Sequence, residues 1–315
     1  MSTGLGATNG TGEQAPARAH VNWREVILFG LLAYGLAWAW WGFWLFPYLD
    51  TLLTQSITPT DLLARASGAL ALAIPLGMFA PMIAALIMRL FVSKEGVKGS
   101  LGLLRSWKYY LAALVVPVVF VTAVVLIVQV LGLGAFRWSE ASWLVYLTLM
   151  LKSLLNVPFT FGEEYGWRGY LLPRLLPLGE IRATLLVGLI WGPWHVPLLL
   201  AGLNYPGVNF WVAFLVFCFT VVVLSFVYTW FYVASSGSVL VVALVHQSFN
   251  SFADNFWQPP LFSAGSQLAA SIVGGVVMLA LVVVVYGIFK RPVRVEDPER
   301  FVHPELGGTW RDWVR

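Results

Sequence analysis

Apolar stretches long enough to cross a bilayer recur along this chain and leave room for little else. A spanning helix needs about 20 apolar residues. Eight stretches reach or approach that length: 26–46, 69–90, 109–131, 143–162, 183–203, 208–232, 238–253 and 267–289. The seventh is short and carries polar groups. With 59% hydrophobic and 11% charged residues and a mean hydropathy of +0.79, the composition excludes a soluble globular domain. Nothing alternates like barrel strands, and backbone exposed to lipid must satisfy its own hydrogen bonds. The reading is therefore an all-α polytopic membrane protein, a bundle of about eight transmembrane helices. One membrane domain fills 26–290. A Gly/Thr/Ala-rich tail, 1–25, is expected to be disordered, and 291–315 forms a second tail.

Orientation follows from the lysines and arginines. Of the 19 in the chain, all but Arg65, Arg137 and Lys152 fall on one side of this topology, in the tails and in the loops 89–108 and 163–182. The excess of basic residues marks the cytoplasmic face, so both termini are expected there, with the protein in the cell membrane. The sequence pI of 9.2 is accounted for by this asymmetry, and no nucleic-acid partner is called for. The first apolar segment is long enough to span and no small-residue cleavage site follows it, so no signal peptide is expected. Trp38, Trp40, Trp41 and Trp44 crowd the outer half of the first span, where an interfacial aromatic belt is the ordinary explanation. Pro75, Pro81 and Pro117 predict kinks in spans two and three. The single cysteine, Cys218, excludes an internal disulfide and reads as core packing.

Three polar groups interrupt this apolar background. In Glu163-Glu164-Tyr-Gly-Trp-Arg168, Glu164 and Arg168 share a helical face while Glu163 points about 100° away. One carboxylate is neutralised by the arginine and its neighbour stays free. Alone, the segment also reads as a salt bridge capping a helix. His195, in Trp191-Gly-Pro193-Trp-His195-Val-Pro197, is bracketed by prolines that distort the helix, so it reads equally as a histidine bonded to a carbonyl or as one facing a wet cavity. His246 and Asn250 stand four apart on one face of the seventh span, where helix–helix packing is the plainer alternative. Ionisable groups inside a membrane are costly and by default mark function. Three such sites on three spans form a cluster of hydrolytic composition.

In their order and flanks these residues resemble the CAAX prenyl protease and bacteriocin-processing family of intramembrane endopeptidases. The resemblance rests on Glu163-Glu164-x-x-Trp-Arg168-Gly-Tyr-Leu-Leu-Pro-Arg, Trp-His195-x-Pro-Leu, and Gly-Ser-Val-Leu ahead of His246-x-x-x-Asn250. It covers about residues 105 to 252. Trp191 departs from the family's usual Phe, a change expected to matter little because another bulky aromatic fills the same space.

The resemblance implies a catalytic set of Glu163, Glu164, Arg168, His195, His246 and Asn250. Glu163 acts as general base on a water shared with His195. Glu164 and Arg168 orient it, and His246 with Asn250 receives the oxyanion. The substrate is a peptide or lipid-anchored protein, approached among membrane lipids. No cofactor is favoured. Zinc held by Glu163, His195 and His246 is the rival, since two His and one Glu suit catalytic zinc, although Arg168 opposes a divalent ion beside it. For His195 to meet Glu163 at depth, helix four must continue to about Leu176, bending near Pro158. The competing readings are an inactive scaffold or bacteriocin-immunity protein, and a proton-coupled transporter using the Glu/His chain as a relay. No internal repeat supports the last.

Overall fold

The computed structural model describes residues 20–54, 68–97, 100–101, 107–205, 207–257, 261–263 and 266–288. The expected tail 291–315, most of the N-terminal tail, and Arg65, Lys98 and Arg105 lie outside them. The described residues are helical, with a single isolated bridge between Phe136 and Phe262. Helix α1 spans Trp23–Thr54, α2 Gly68–Leu76, α3 Ala80–Ile87, α4 Trp107–Val130 and α5 Trp143–Gly166. They are followed by α6 Leu172–Leu175, α7 Glu180–Trp194, α8 Val196–Leu200, α9 Phe210–Ala234, α10 Val239–Phe256 and α11 Ser266–Val283.

Six of the eight anticipated segments are long and apolar enough to cross a membrane: Trp23–Phe46, Leu72–Val92, Trp107–Val130, Trp143–Leu178, Phe210–Ala234 and Gln267–Gly287. The other two, α7 with α8 and α10, are helical but fall short. The same polar and helix-breaking residues that make them candidates for function shorten or dilute their apolar runs. α1 begins at Trp23, so Arg24 and Glu25 belong to the first helix rather than to a tail. Pro75 and Pro81 flank a tight turn, Gly77–Phe79, that breaks the second span in two.

α10 is the centre of the bundle. It packs along α5 and α4, while α9 lies against α7 and α11, and α1 against α3. Close approach is set by small residues. A Cβ on Gly188 of α7 would stand 2.8 Å from the Val222 Cα of α9, and one on Gly192 would stand 3.0 Å from Cys218 Sγ. Glycines four apart let two backbones meet without side chains between them.

Two expectations are revised here. Trp38, Trp40 and Trp41 also tether neighbouring helices, while Trp38 and Trp40 stay exposed on the bundle surface. Their indole N–H groups donate to the carbonyls of Trp194 at 2.9 Å, Ala73 at 2.6 Å and Ile74 at 3.0 Å, and Trp41 is fully buried. A carbonyl freed near a break in a helix needs such a donor. Arg89 and Arg174, counted from sequence as loop charges, are also buried. Arg89 pairs with Glu95, and its Nη2 donates to Gly169 O at 2.8 Å. Arg174 reaches Glu25 Oε2 and Glu95 Oε2, each at 2.8 Å, and lies 3.5 Å over the Tyr170 ring. Two cations and two anions thus form one neutral buried staple joining the first turn of α1, residues 89–95 and the end of span four.

Candidate active site

The site is built where α5 refuses to stop. After Gly166 the chain passes through a wide π turn, Trp167–Leu171, into α6, and the whole of Trp143–Leu178 reads as one span. Glu163, Glu164 and Arg168 are therefore inside the bundle, at 1%, 0% and 0% exposure, and not at a helix end. Such turns admit an extra residue at the expense of regular hydrogen bonding and are frequent at functional sites. Here Gly169 O, within the turn, accepts from Arg89. At Gly179 the backbone turns with φ +86° and ψ 148°, a conformation suited to glycine alone, and α7 begins.

Glu164 and Arg168 form the intrahelical pair expected from their spacing. Arg168 Nη1 donates to both carboxylate oxygens at 2.9 Å, and Nη2 donates to Ser225 Oγ of α9 at 3.1 Å. The guanidinium sits against two rings, 4.5 Å from the Trp191 centroid and 5.0 Å from that of Tyr228, whose own centroids are 5.8 Å apart. The cation thus meets the aromatic charge density of both. Glu164 also meets His246 Nδ1 at 2.8 Å. A carboxylate already paired with arginine can only accept, so Nδ1 carries the hydrogen and Nε2 of the neutral ring presents a lone pair. From sequence Glu164 has a single partner, Arg168. In the structure it holds His246 as well.

Glu163 faces the other way, toward α7. Its Oε1 accepts a hydrogen bond from the Trp191 indole N–H and lies 3.8 Å from His195 Nε2. His195 stands at the break between α7 and α8, with its Nδ1 3.1 Å from Trp191 O. That carbonyl fixes the tautomer in the same way: Nδ1 donates, and Nε2 turns a lone pair toward Glu163. Trp191 therefore touches Glu163, Arg168, His195 and His246. Its N–H holds Glu163, its carbonyl holds His195, its ring covers Arg168, and His246 meets the ring edge-on at 5.3 Å. The sequence reading gave it a packing role only. The signal was present in the spacing, since Trp191 and His195 are four apart on one face. Asn250 is half-buried one turn beyond His246 on α10.

The six residues singled out in the sequence thus come from α5 and its π turn, the α7–α8 break, and α10. Glu163, Glu164, Arg168, His195 and His246 are joined by direct contacts to one another or through Trp191; Asn250 shares only its helical face with His246. Among the described residues no three His, Cys, Asp or Glu side chains are arranged to hold a metal ion. Glu163, His195 and His246 do not form such a group, and no step is derived through a metal.

Residues 141–252 match the model of a family described as type II CAAX prenyl endopeptidase, Rce1-like. Over this segment the chain is similar to CAAX prenyl endopeptidases. A protein of Methanococcus maripaludis named CAAX prenyl protease 2 is 27% identical over 118 residues, covering 36% of this chain and 41% of the relative. The segment matched to the family runs from the loop before α5 to Phe252 in α10, and so takes in every residue of the cluster.

Proposed function

We propose that this CAAX-protease-like chain is an intramembrane endopeptidase in which Glu163 activates the attacking water. The observation that carries the reading is the facing pair of acceptors, Glu163 Oε1 and His195 Nε2, 3.8 Å apart. Neither has a hydrogen to give the other, and both lie within reach of a single water that donates one hydrogen to each. Such a water is oriented for attack and loses its proton to Glu163. The hydroxide adds to the scissile carbonyl, and the Asn250 amide, on the helical face it shares with His246, stabilises the oxyanion. Protonated Glu163 then returns its proton to the leaving amine.

The remaining residues hold this arrangement in place. Arg168 fixes Glu164, Glu164 fixes His246, and Trp191 fixes both Glu163 and His195. The substrate is a peptide of a membrane-associated or lipid-anchored protein, entering from the side that carries both termini, and metal plays no part in the reaction. The test is to incubate purified protein in lipid vesicles with a peptide library, with and without a chelator, and read the products by mass spectrometry. Cleavage is expected in both arms and is expected to be lost in Glu163→Gln. Cleavage abolished by chelator and restored by zinc would overturn the metal-free mechanism. Its absence in every wild-type arm would favour the inactive scaffold.

A further inference from the structure

The site contains one more hydroxyl, and it comes from a helix that contributes none of the six residues above. Tyr228 lies within α9 and is fully buried. Its ring is 5.1 Å from that of His246, tilted by 32°, and 5.8 Å from that of Trp191. Arg168 covers it at 5.0 Å. The charges of Glu164, Arg168 and Glu163 all bear on the phenol. Among the described residues its hydroxyl has no hydrogen-bond partner. A buried donor left unpaired carries the full desolvation penalty of the group, and phenylalanine would make the same ring contacts without it. The bare hydroxyl is a liability to the fold, on a ring that packs against Arg168, Trp191 and His246 of the candidate active site.

The hydrogen-bond directions around it show what is short of a donor. His246 gives its Nδ1 hydrogen to Glu164, and His195 gives its own to Trp191 O. Both neutral rings therefore turn lone pairs inward. Glu163 is an acceptor as well. A peptide carbonyl placed among them meets Asn250 as its neutral donor and is otherwise surrounded by acceptors, whereas developing negative charge requires positioned donors.

We propose that the Tyr228 hydroxyl donates a hydrogen bond to the carbonyl oxygen of the peptide bond under attack and holds it as it becomes an oxyanion, which makes Tyr228 a catalytic residue. The inference rests on the endopeptidase reading. In the step itself, the water oxygen bonds to the carbonyl carbon, the C=O π pair moves to oxygen, and the water proton goes to Glu163. Tyr228 keeps its proton throughout. On collapse the carbonyl re-forms, the C–N bond breaks, and the amine takes the proton from Glu163.

Tyr228→Phe tests this, because it deletes one oxygen and leaves the ring. The readouts are kcat and KM on a peptide cut by the wild type, with the melting temperature in detergent measured beside them and Glu163→Gln as the inactive reference. The expected result is a kcat lowered by about 10²–10³, the loss typical of one oxyanion donor, with KM little changed, as for an interaction made only in the transition state. The melting temperature should be equal to the wild type's or higher. Unchanged kcat, with the wild type active and Glu163→Gln dead, overturns the role of Tyr228 and leaves the endopeptidase reading standing. A melting temperature lowered by several degrees also overturns it, since the hydroxyl then has a structural partner. A wild type that cuts no peptide removes the endopeptidase reading and this inference together.

Discussion

At the scale of the residue, the two adjacent glutamates hold different positions, and each position makes its own prediction. Glu163 is held by one neutral donor, so Glu163→Gln should insert and melt like the wild type while hydrolysis vanishes. Glu164 joins Arg168 to His246 with no exposure on the arginine. Glu164→Gln leaves a buried cation without its partner, a change that typically costs about 3–5 kcal/mol, and it should lower melting temperature and activity together. An active Glu163→Gln beside a folded, inactive Glu164→Gln would reverse the two roles. Trp191→Phe keeps a ring over Arg168 but removes the N–H on Glu163. A hydrogen bond to a charged group is worth about 1.5–3 kcal/mol, so turnover per folded molecule should drop about 10–100-fold. A drop below threefold would reduce Trp191 to the packing role that sequence assigns it. The ionisable residues were legible because charge is rare among apolar spans. Trp191 was not, because tryptophan is abundant here, with 16 in the chain, and a membrane offers each one an ordinary interfacial use.

At the scale of the element, the site depends on how closely α7 lies against α9, since these helices bring Trp191 and Tyr228 together against Arg168. Gly188→Ala places a methyl 2.8 Å from the Val222 Cα, closer than backbone atoms tolerate. The helices must separate, and overpacking of this kind costs about 1–3 kcal/mol. The variant should melt earlier and lose activity, whereas Gly35→Ala, at a position with open space around it, should do neither. Equal melting of the two would show that α7 and α9 are free to part. Helices and their order could be read from hydropathy, and the continuation of span four followed from the depth His195 requires. The partner of His246 could not be read. Whether α10 presents it to Glu163 or to Glu164 depends on the rotation of α5 beyond Gly166, and the π turn that accompanies it has no sequence signature.

At the scale of the whole molecule, the structure changes the arithmetic behind the expected topology. Arg89, Arg168 and Arg174 are buried with partners and drop out of the loop count. In the topology expected from sequence the remaining lysines and arginines, apart from Arg65, Arg137 and Lys152, still fall on the side assigned to both termini. Reporter fusions at Gly10 and Gly308, both outside the described residues, should read as cytoplasmic. An external signal from one of them would mean an odd number of crossings. The staple of Glu25, Arg174, Glu95 and Arg89 adds a matter of timing. Glu25 is made 149 residues before Arg174, and at 5–20 residues per second that is an interval of about 7–30 s. Throughout it the first spans carry a carboxylate whose partner has not left the ribosome. They enter the bilayer as an open set, and chain made later closes them. The first helix to be synthesised is thus among the last to be finished.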